Sequence, residues 1–330
     1  MTSPDHLDVD RLSAPGGAPV LVVDAGVWRR PATPIQAVVI GVDRTGVLPA
    51  IVADDFDTLV TVAENPPRPW AFLGAGDIDA HIARLADAVK ANPLAATIAA
   101  QVLRLTAKLL LANALMIESL AYSTLLGGNE FARWRADRKR DDVTPLPIEP
   151  VAVERNEDHV ILTLNDPANR NAMAAAMRDA LYEALANALD DPRKPSVTLQ
   201  GAGKCFSTGG AVPEFGTAKD LAEAHAVRTL HSCARALDAL GERATVRMHG
   251  ACVGSGIEIG AAAHHRIAAP DAWFQLPELA MGLLPGAGGT ATISRAIGRH
   301  RTLWMLLTQK RIGAELARDW GLVHEIEDQP

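Results

Sequence analysis

Met248–Gly289 reads MHGACVGSGIEIGAAAHHRIAAPDAWFQLPELAMGLLPGAGG, and the rest of the chain is best understood from this stretch. Gly254, Ser255 and Gly256 form a run of small residues that permits a tight turn and leaves main-chain amides uncovered by side chains. Ile257 to Ala263 then predicts a buried helix, which would put those amides at its N-terminus. Unpaired N–H donors and partial positive charge at such an end suit a developing oxyanion. Two acids, Glu258 and Glu278, stand in otherwise apolar surroundings, where a carboxylate is costly unless it has partners or a task.

Three further motifs accompany this stretch: LTLNDPANRNAM at Leu162–Met173, GAGKCFSTGGAVPEF at Gly201–Phe215 and RIGAELARDWGLVHEI at Arg311–Ile326. Together, in this order and from about Val151 to Ile326, they resemble the crotonase (enoyl-CoA hydratase/isomerase) superfamily. The resemblance implies an α/β fold with a crotonase-like ββα-spiral core, and chemistry in which an acyl-CoA thioester carbonyl is polarised by two backbone amides. Matched residue by residue, those amides belong to Gly210 and Ser255. Such a donor is typically worth about 3–4 kcal/mol in the transition state. Glu258 and Glu278 match the two carboxylates of the members that hydrate enoyl thioesters, where they hold one water against the β-carbon and pass a proton to the α-carbon. Two acids in an apolar site push their pKa values apart, so that one accepts while the other donates.

The same resemblance assigns CoA recognition to the loop carrying Lys204, Phe206, Thr208 and Gly210, mostly through backbone groups. Arg104, Lys108 and Arg133 are further basic candidates. CoA is part of the substrate, so no cofactor is implied, and family members are commonly trimers or hexamers. Two positions depart from the pattern: Ser255 stands where Gly is usual, and Ala211 where Asp is common, with Pro213 a source of stiffness. Isomerisation, dioxygenation, thioester hydrolysis and a non-catalytic subunit are the alternatives that a shared fold leaves open.

A chain of 330 residues suits one large or two modest domains, and 48% hydrophobic with 22% charged residues is the composition of a soluble globular protein. A net charge of −7 argues against nucleic acid as a partner. Cys205, Cys233 and Cys252 have no metal-ligand spacing and read as reduced thiols. His264 and His265 are adjacent and cannot point the same way, so no metal is expected. His249 reads as a buried structural histidine. GAGG at Gly286–Gly289 lacks the pattern of a dinucleotide or P-loop site. The start has neither a basic nor an apolar signal region, and the greasiest run, Leu103–Leu126, is broken by Arg104, Lys108 and Glu118. A cytoplasmic protein without a membrane partner is expected.

Residues 1 to about 18 read as a loose arm, followed by strands at Val20–Asp24, Ala37–Val42 and Thr58–Val62. Ile78, Ile82, Leu85 and Val89 mark one helical face with Asp77 as N-cap; a second, longer helix starts near Pro93 and carries Leu94, Ile98, Val102, Leu105 and Leu109. A third runs to Leu126, where Gly127 and Gly128 stop it. Glu130–Asp142 reads as a solvated helix or linker. The domain division that follows is an N-terminal region at 1–143, a Pro-rich linker at 144–150 and a catalytic core at 151–330, where strands alternate with the helix Ala174–Leu189.

Family members usually continue past the segment matching GLVHEI into a helical tail; here Lys90–Trp134, upstream of the core, resembles such a tail. A displaced tail and a degenerate crotonase-like half both predict that Leu94–Leu126 packs on the core or on a neighbouring subunit. An unrelated helical domain is the third reading.

Overall fold

The computed structural model describes residues 6–74, 76–138 and 147–328. The first part of the expected linker (144–146), the end of the charged segment (139–142) and the start of the arm (1–5) lie outside the described residues. The N-terminal region begins with a short helix α1 (His6–Arg11) and four strands, β1 (Val20–Asp24), β2 (Val38–Asp43), β3 (Thr58–Thr61) and β4 (Ala71–Phe72). They form one parallel sheet in the order β1-β2-β3-β4. The two-residue β4 has too little pattern to be read from the sequence. Inner strands β2 and β3 are buried along their whole length, as parallel strands covered on both faces must be. Alternate residues serve opposite sides: Val38, Ile40 and Val42 join the main core, while Val39 joins Phe56, Leu59 and Trp70 in a smaller cluster.

Four helices follow: α2 (Ile78–Ala91), α3 (Pro93–Thr106), α4 (Leu111–Leu126) and α5 (Asn129–Ala136). The Asp77 side chain caps α2 by accepting from the Ala80 N–H at 3.1 Å. In α3, Leu94 and Leu105 are exposed, and Ala95, Ala96, Ala99, Ala100, Val102 and Leu103 are buried, because alanines let this helix sit close on its neighbours. Glu130 is a correction. Far from solvated, it is buried and accepts from the Leu94 and Ala95 N–H groups, both at 2.8 Å, satisfying the first turn of α3.

The second part runs β5 (Val151–Arg155), β6 (His159–Leu164), α6 (Ala175–Asp190), β7 (Ser196–Gly201), α7 (Leu221–Leu230), α8 (Cys233–Ala239), β8 (Ala244–Met248), β9 (Ala251–Val253), α9 (Ser255–Gly260) and β10 (His265–Ala268). It closes with β11 (Trp273–Gln275), α10 (Gly289–Ile297), α11 (Arg299–Thr308), β12 (Ile312–Gly313), α12 (Ala314–Trp320) and β13 (Glu325–Ile326). A six-stranded sheet, β13-β10-β8-β7-β6-β5, is parallel except for the β5–β6 pair, and a small sheet β12-β11-β9 lies apart from it. The mixed α/β architecture is the expected one.

One buried cluster draws on both sides of the linker, from Val38 to Phe131 and from Val151 to Val323. Helices α3 and α4 pack against α10, so Leu94–Leu126 lies on the core of its own chain. Polar ties reinforce the packing. Arg299, His300 and Arg301 are buried because carbonyls of the N-terminal region accept from them: Phe56 and Ala53 from Arg299, Ala53 from His300, Trp70 and Pro66 from Arg301, at 2.7–3.0 Å. In return Thr58 Oγ1 donates to the His300 carbonyl at 2.9 Å. Among the described residues, no helix is long and apolar enough to cross a membrane.

Candidate active site

Two loops bring the proposed amides together. The first follows β7 and is held from below by Asn171, whose Nδ2 donates to the carbonyls of Ala202, Cys205 and Phe206 at 2.9–3.1 Å. Gly209 has φ +93°, a conformation that favours glycine. Met173 then bonds to both sides of Gly210: its N–H donates to the Gly209 carbonyl at 2.7 Å, and its carbonyl accepts from the Ala211 N–H at 3.2 Å. This leaves the Gly210 N–H without an acceptor among the described residues. At Ala211, where an acid is common in the family, Glu214 ties the loop down instead, accepting from the Ala175 N–H at the start of α6 at 2.8 Å.

The second loop follows β9. Gly254 turns the chain at φ +48° into the short helix α9, and the Ser255 N–H likewise donates to no group among the described residues. The loops touch: a Cβ placed on Gly209 would lie 2.9 Å from the Val253 carbonyl oxygen and 3.7 Å from the Gly254 Cα. The Ser255 Oγ is buried and without a partner among the described residues.

Glu258, on α9, and Glu278, in the turn after β11, are 2% and 7% exposed. A Cβ on Gly254 would come within 2.6 Å of the Glu278 Oε1, so this acid lies against the Ser255 loop. Its Oε2 is buried with no hydrogen-bond partner among the described residues. Glu258 Oε2 accepts from the N–H groups of Ala287 and Gly289 at 2.7 and 3.1 Å.

A third acid, which sequence reasoning did not place in the site, interleaves with it. Glu118 of α4 is 2% exposed; its Oε1 accepts from the Gly288 N–H at 2.6 Å, and its Oε2 from the Thr290 N–H and Oγ1 at 2.7 and 2.6 Å. Four successive amides therefore alternate between Glu258 and Glu118. The signal that marks Glu258 and Glu278, an acid in an apolar run, applies equally to Glu118 in NALMIESLAY.

Burial dominates the electrostatics. It pushes Glu118 up to about 8, helped by the Glu258 charge and opposed by Thr290 and Gly288. It pushes Glu258 up to about 7 against the amides of Ala287 and Gly289. Glu278 rises well above the usual carboxylate range through burial and then the Glu258 charge. Tyr122, one turn along α4 from Glu118, packs on Gly286, and burial raises its phenol as well.

The residues expected to hold CoA are less uniform. Lys204 is exposed, and Thr208 is half-buried with its N–H given to the Arg170 carbonyl at 3.1 Å. Phe206 is 1% exposed, its N–H donates to His249 and its carbonyl accepts from Asn171, so it supports the loop from the core. Arg104 pairs with Asp57 at 2.6 Å, Lys108 with Asp54 at 3.1 Å, and Arg133 donates to Ala91 and Asn92, which occupies all three. His249 is buried and bonded to the Gly203 carbonyl at 3.0 Å. Among the described residues no group of three or more His, Cys, Asp or Glu is arranged to hold a metal.

A family model described as enoyl-CoA hydratase/isomerase matches residues 154–329, more than half of the chain. The chain belongs to the enoyl-CoA hydratase/isomerase family. A probable enoyl-CoA hydratase of Mycobacterium tuberculosis is 33% identical over 183 residues, covering 55% of this chain and 71% of the relative. The fatty acid oxidation complex subunit alpha of a Shewanella species is 32% identical over 180 residues, and the chain spans only 26% of its length. Among solved structures, an enoyl-CoA hydratase from Thermoplasma volcanium aligns with a TM-score of 0.50 at 27% identity, over 55% of this chain and 73% of that one. These alignments cover the enoyl-CoA hydratase/isomerase part of the molecule and establish its crotonase-type fold. Glu118 and Tyr122 come from sequence outside the matched family model.

Proposed function

We propose that the protein adds water across the 2,3-double bond of enoyl-CoA thioesters. The observation that carries this reading is a pair of unengaged amides, Gly210 and Ser255, beside two buried acids, one of which has an unpartnered oxygen. In this reading the thioester oxygen accepts from both amides. Water loses a proton to the Glu258 carboxylate as its oxygen bonds to the β-carbon, and the π electrons move onto the thioester oxygen. When that charge returns, the α-carbon takes the proton of Glu278. Proton exchange with solvent restores Glu258 to its charged form and Glu278 to its neutral form. The bonding pattern and burial support these roles: amides hold Glu258 as an acceptor, and burial pushes Glu278 towards its protonated form.

The proposal includes residues 1–143 as an integral wall of the site rather than an independent domain, CoA as part of the substrate with no further cofactor, and a cytoplasmic homo-oligomer. Mixing the protein with crotonyl-CoA and longer enoyl thioesters should bleach the conjugated absorbance. No loss of absorbance with any chain length would reject hydration. Conversion of a 3-enoyl thioester without hydration would point to isomerisation instead.

A further inference from the structure

The walls of the cleft carry a positive charge that hydration does not use. A cavity of about 360 Å³ borders Gly286–Gly288 and is lined by Arg178, His225, Arg228, His231 and Arg235 together with Glu118. An adjoining cavity of about 350 Å³ shares Arg178 and Arg228 with it. Most of these groups are answered or solvated. Asp179 pairs with Arg178 at 2.7 Å and with His231 at 3.0 Å. His225 meets Ser119 Oγ at 2.9 Å, Arg235 is exposed, and Glu118 turns both oxygens to main-chain amides.

Arg228 is different. It is half-buried, yet among the described residues no carboxylate lies within ion-pair distance of it. Its Nη1 donates to Ser119 O, Ser119 Oγ and Ser123 Oγ at 3.2, 2.7 and 3.2 Å, and its guanidinium sits 4.7 Å from the centroid of the Tyr122 ring. Serine oxygens and an aromatic face hold the fork in place without neutralising it. Its Nε and Nη2 give no hydrogen bond among the described residues.

The cavity borders the reacting end, although Gly210, Ser255, Glu258 and Glu278 do not themselves line it. Ala287 and Gly288, in the segment gripping Glu258 and Glu118, line it, as does Met173, which flanks Gly210. Lys204, the basic residue expected near the CoA phosphate, lines neither cavity. We infer that Arg228 receives a carboxylate at the far end of the acyl chain, so that the preferred substrates are thioesters of dicarboxylic acids. A planar fork presented from a cleft wall is suited to bidentate recognition of a carboxylate.

The inference rests on the enoyl-thioester reading for kinetics but not for binding, so calorimetry with two saturated ligands of equal carbon count, glutaryl-CoA and pentanoyl-CoA, tests it without turnover. The wild-type protein should bind glutaryl-CoA about tenfold tighter or more. Arg228→Gln should bring the ratio close to one, and Arg228→Lys, which keeps the charge but not the fork, should retain part of it. Circular dichroism checks folding, and if the Gln variant does not fold, the Lys variant and the wild-type ratio still decide. Equal wild-type affinities, a ratio unchanged in a folded variant, or an equal loss for both thioesters and free CoA each overturn the inference; the last would make Arg228 a phosphate contact. A diacid preference without hydration of any enoyl thioester would sink the hydratase reading alone. Hydration without that preference would sink this inference alone. Failure of both thioesters to bind would sink both.

Discussion

Glu118 and Glu258 divide the N–H groups of residues 287–290 between them, so both hold the same segment. Glu118→Ala leaves two buried amides without acceptors, a loss on the order of 1–3 kcal/mol each. A lower melting temperature alone would mark a structural part. A positioning role for Glu118 also predicts a lower kcat with KM little changed, partly recovered in Glu118→Gln, because Glu118 fixes the segment that holds Glu258. An unchanged kcat in a folded variant would reject it. Glu258→Gln and Glu278→Gln should each lower kcat about 10²–10⁴-fold while thioester binding survives. The double variant should lose much less than the product, since both act in one addition. Wild-type hydration rates in both single variants would remove the acids from the mechanism. Glu258 and Glu278 stand out in the sequence because charge in an apolar run needs a reason, while Glu118 carries the same signal outside the motifs. The open side of Arg228 is not legible there, because the absence of a partner is a fact of three-dimensional packing.

Helix α4 carries Glu118 and Ser119 on one turn and Tyr122 on the next, and it is placed by its packing against α10 and α7. The helical segments are legible from period and caps: Asp77, Pro93 and Gly127 all stand where the helices start or stop. The inner face of α3 is not, since hydrophobic scoring favours leucines over the alanines that the core accepts. Nor is the role of Arg299, His300 and Arg301, whose burial depends on carbonyls more than 200 residues away in sequence. Removing residues 1–140 would strip those acceptors and the Glu118 clamp together. The truncated chain should lose activity and cooperative unfolding, as followed by circular dichroism and the enoyl assay. A soluble, folded and fully active truncation would contradict the integral-wall reading.

For the molecule as a whole, buried titratable groups set how stability depends on pH. Glu118 and Glu258 are raised from 4.5 to about 8 and about 7, so their favourable contribution is complete below 4.5 and declines as pH rises to those values. His300, lowered by burial from 6.5 to about 4, acts oppositely: its contribution is complete above 6.5 and is lost as pH falls towards 4. Above 6.5 only the glutamate effect remains of these, so the melting temperature should fall between pH 6.5 and 8, and Glu118→Gln should make that fall shallower. A melting temperature that rises across this range would contradict the buried-acid assignment. The Glu118 clamp has one more consequence, in the order of synthesis. The amides that donate to it, at Gly288 and Thr290, lie 170 and 172 residues downstream. At translation rates of about 5–20 residues per second, α4 leaves the ribosome roughly 10–30 s before the loop it must grip exists. Throughout that interval the nascent carboxylate is hydrated and ionised; near neutral pH it binds a proton only on closure, so the last stage of folding draws protons from the surrounding solution.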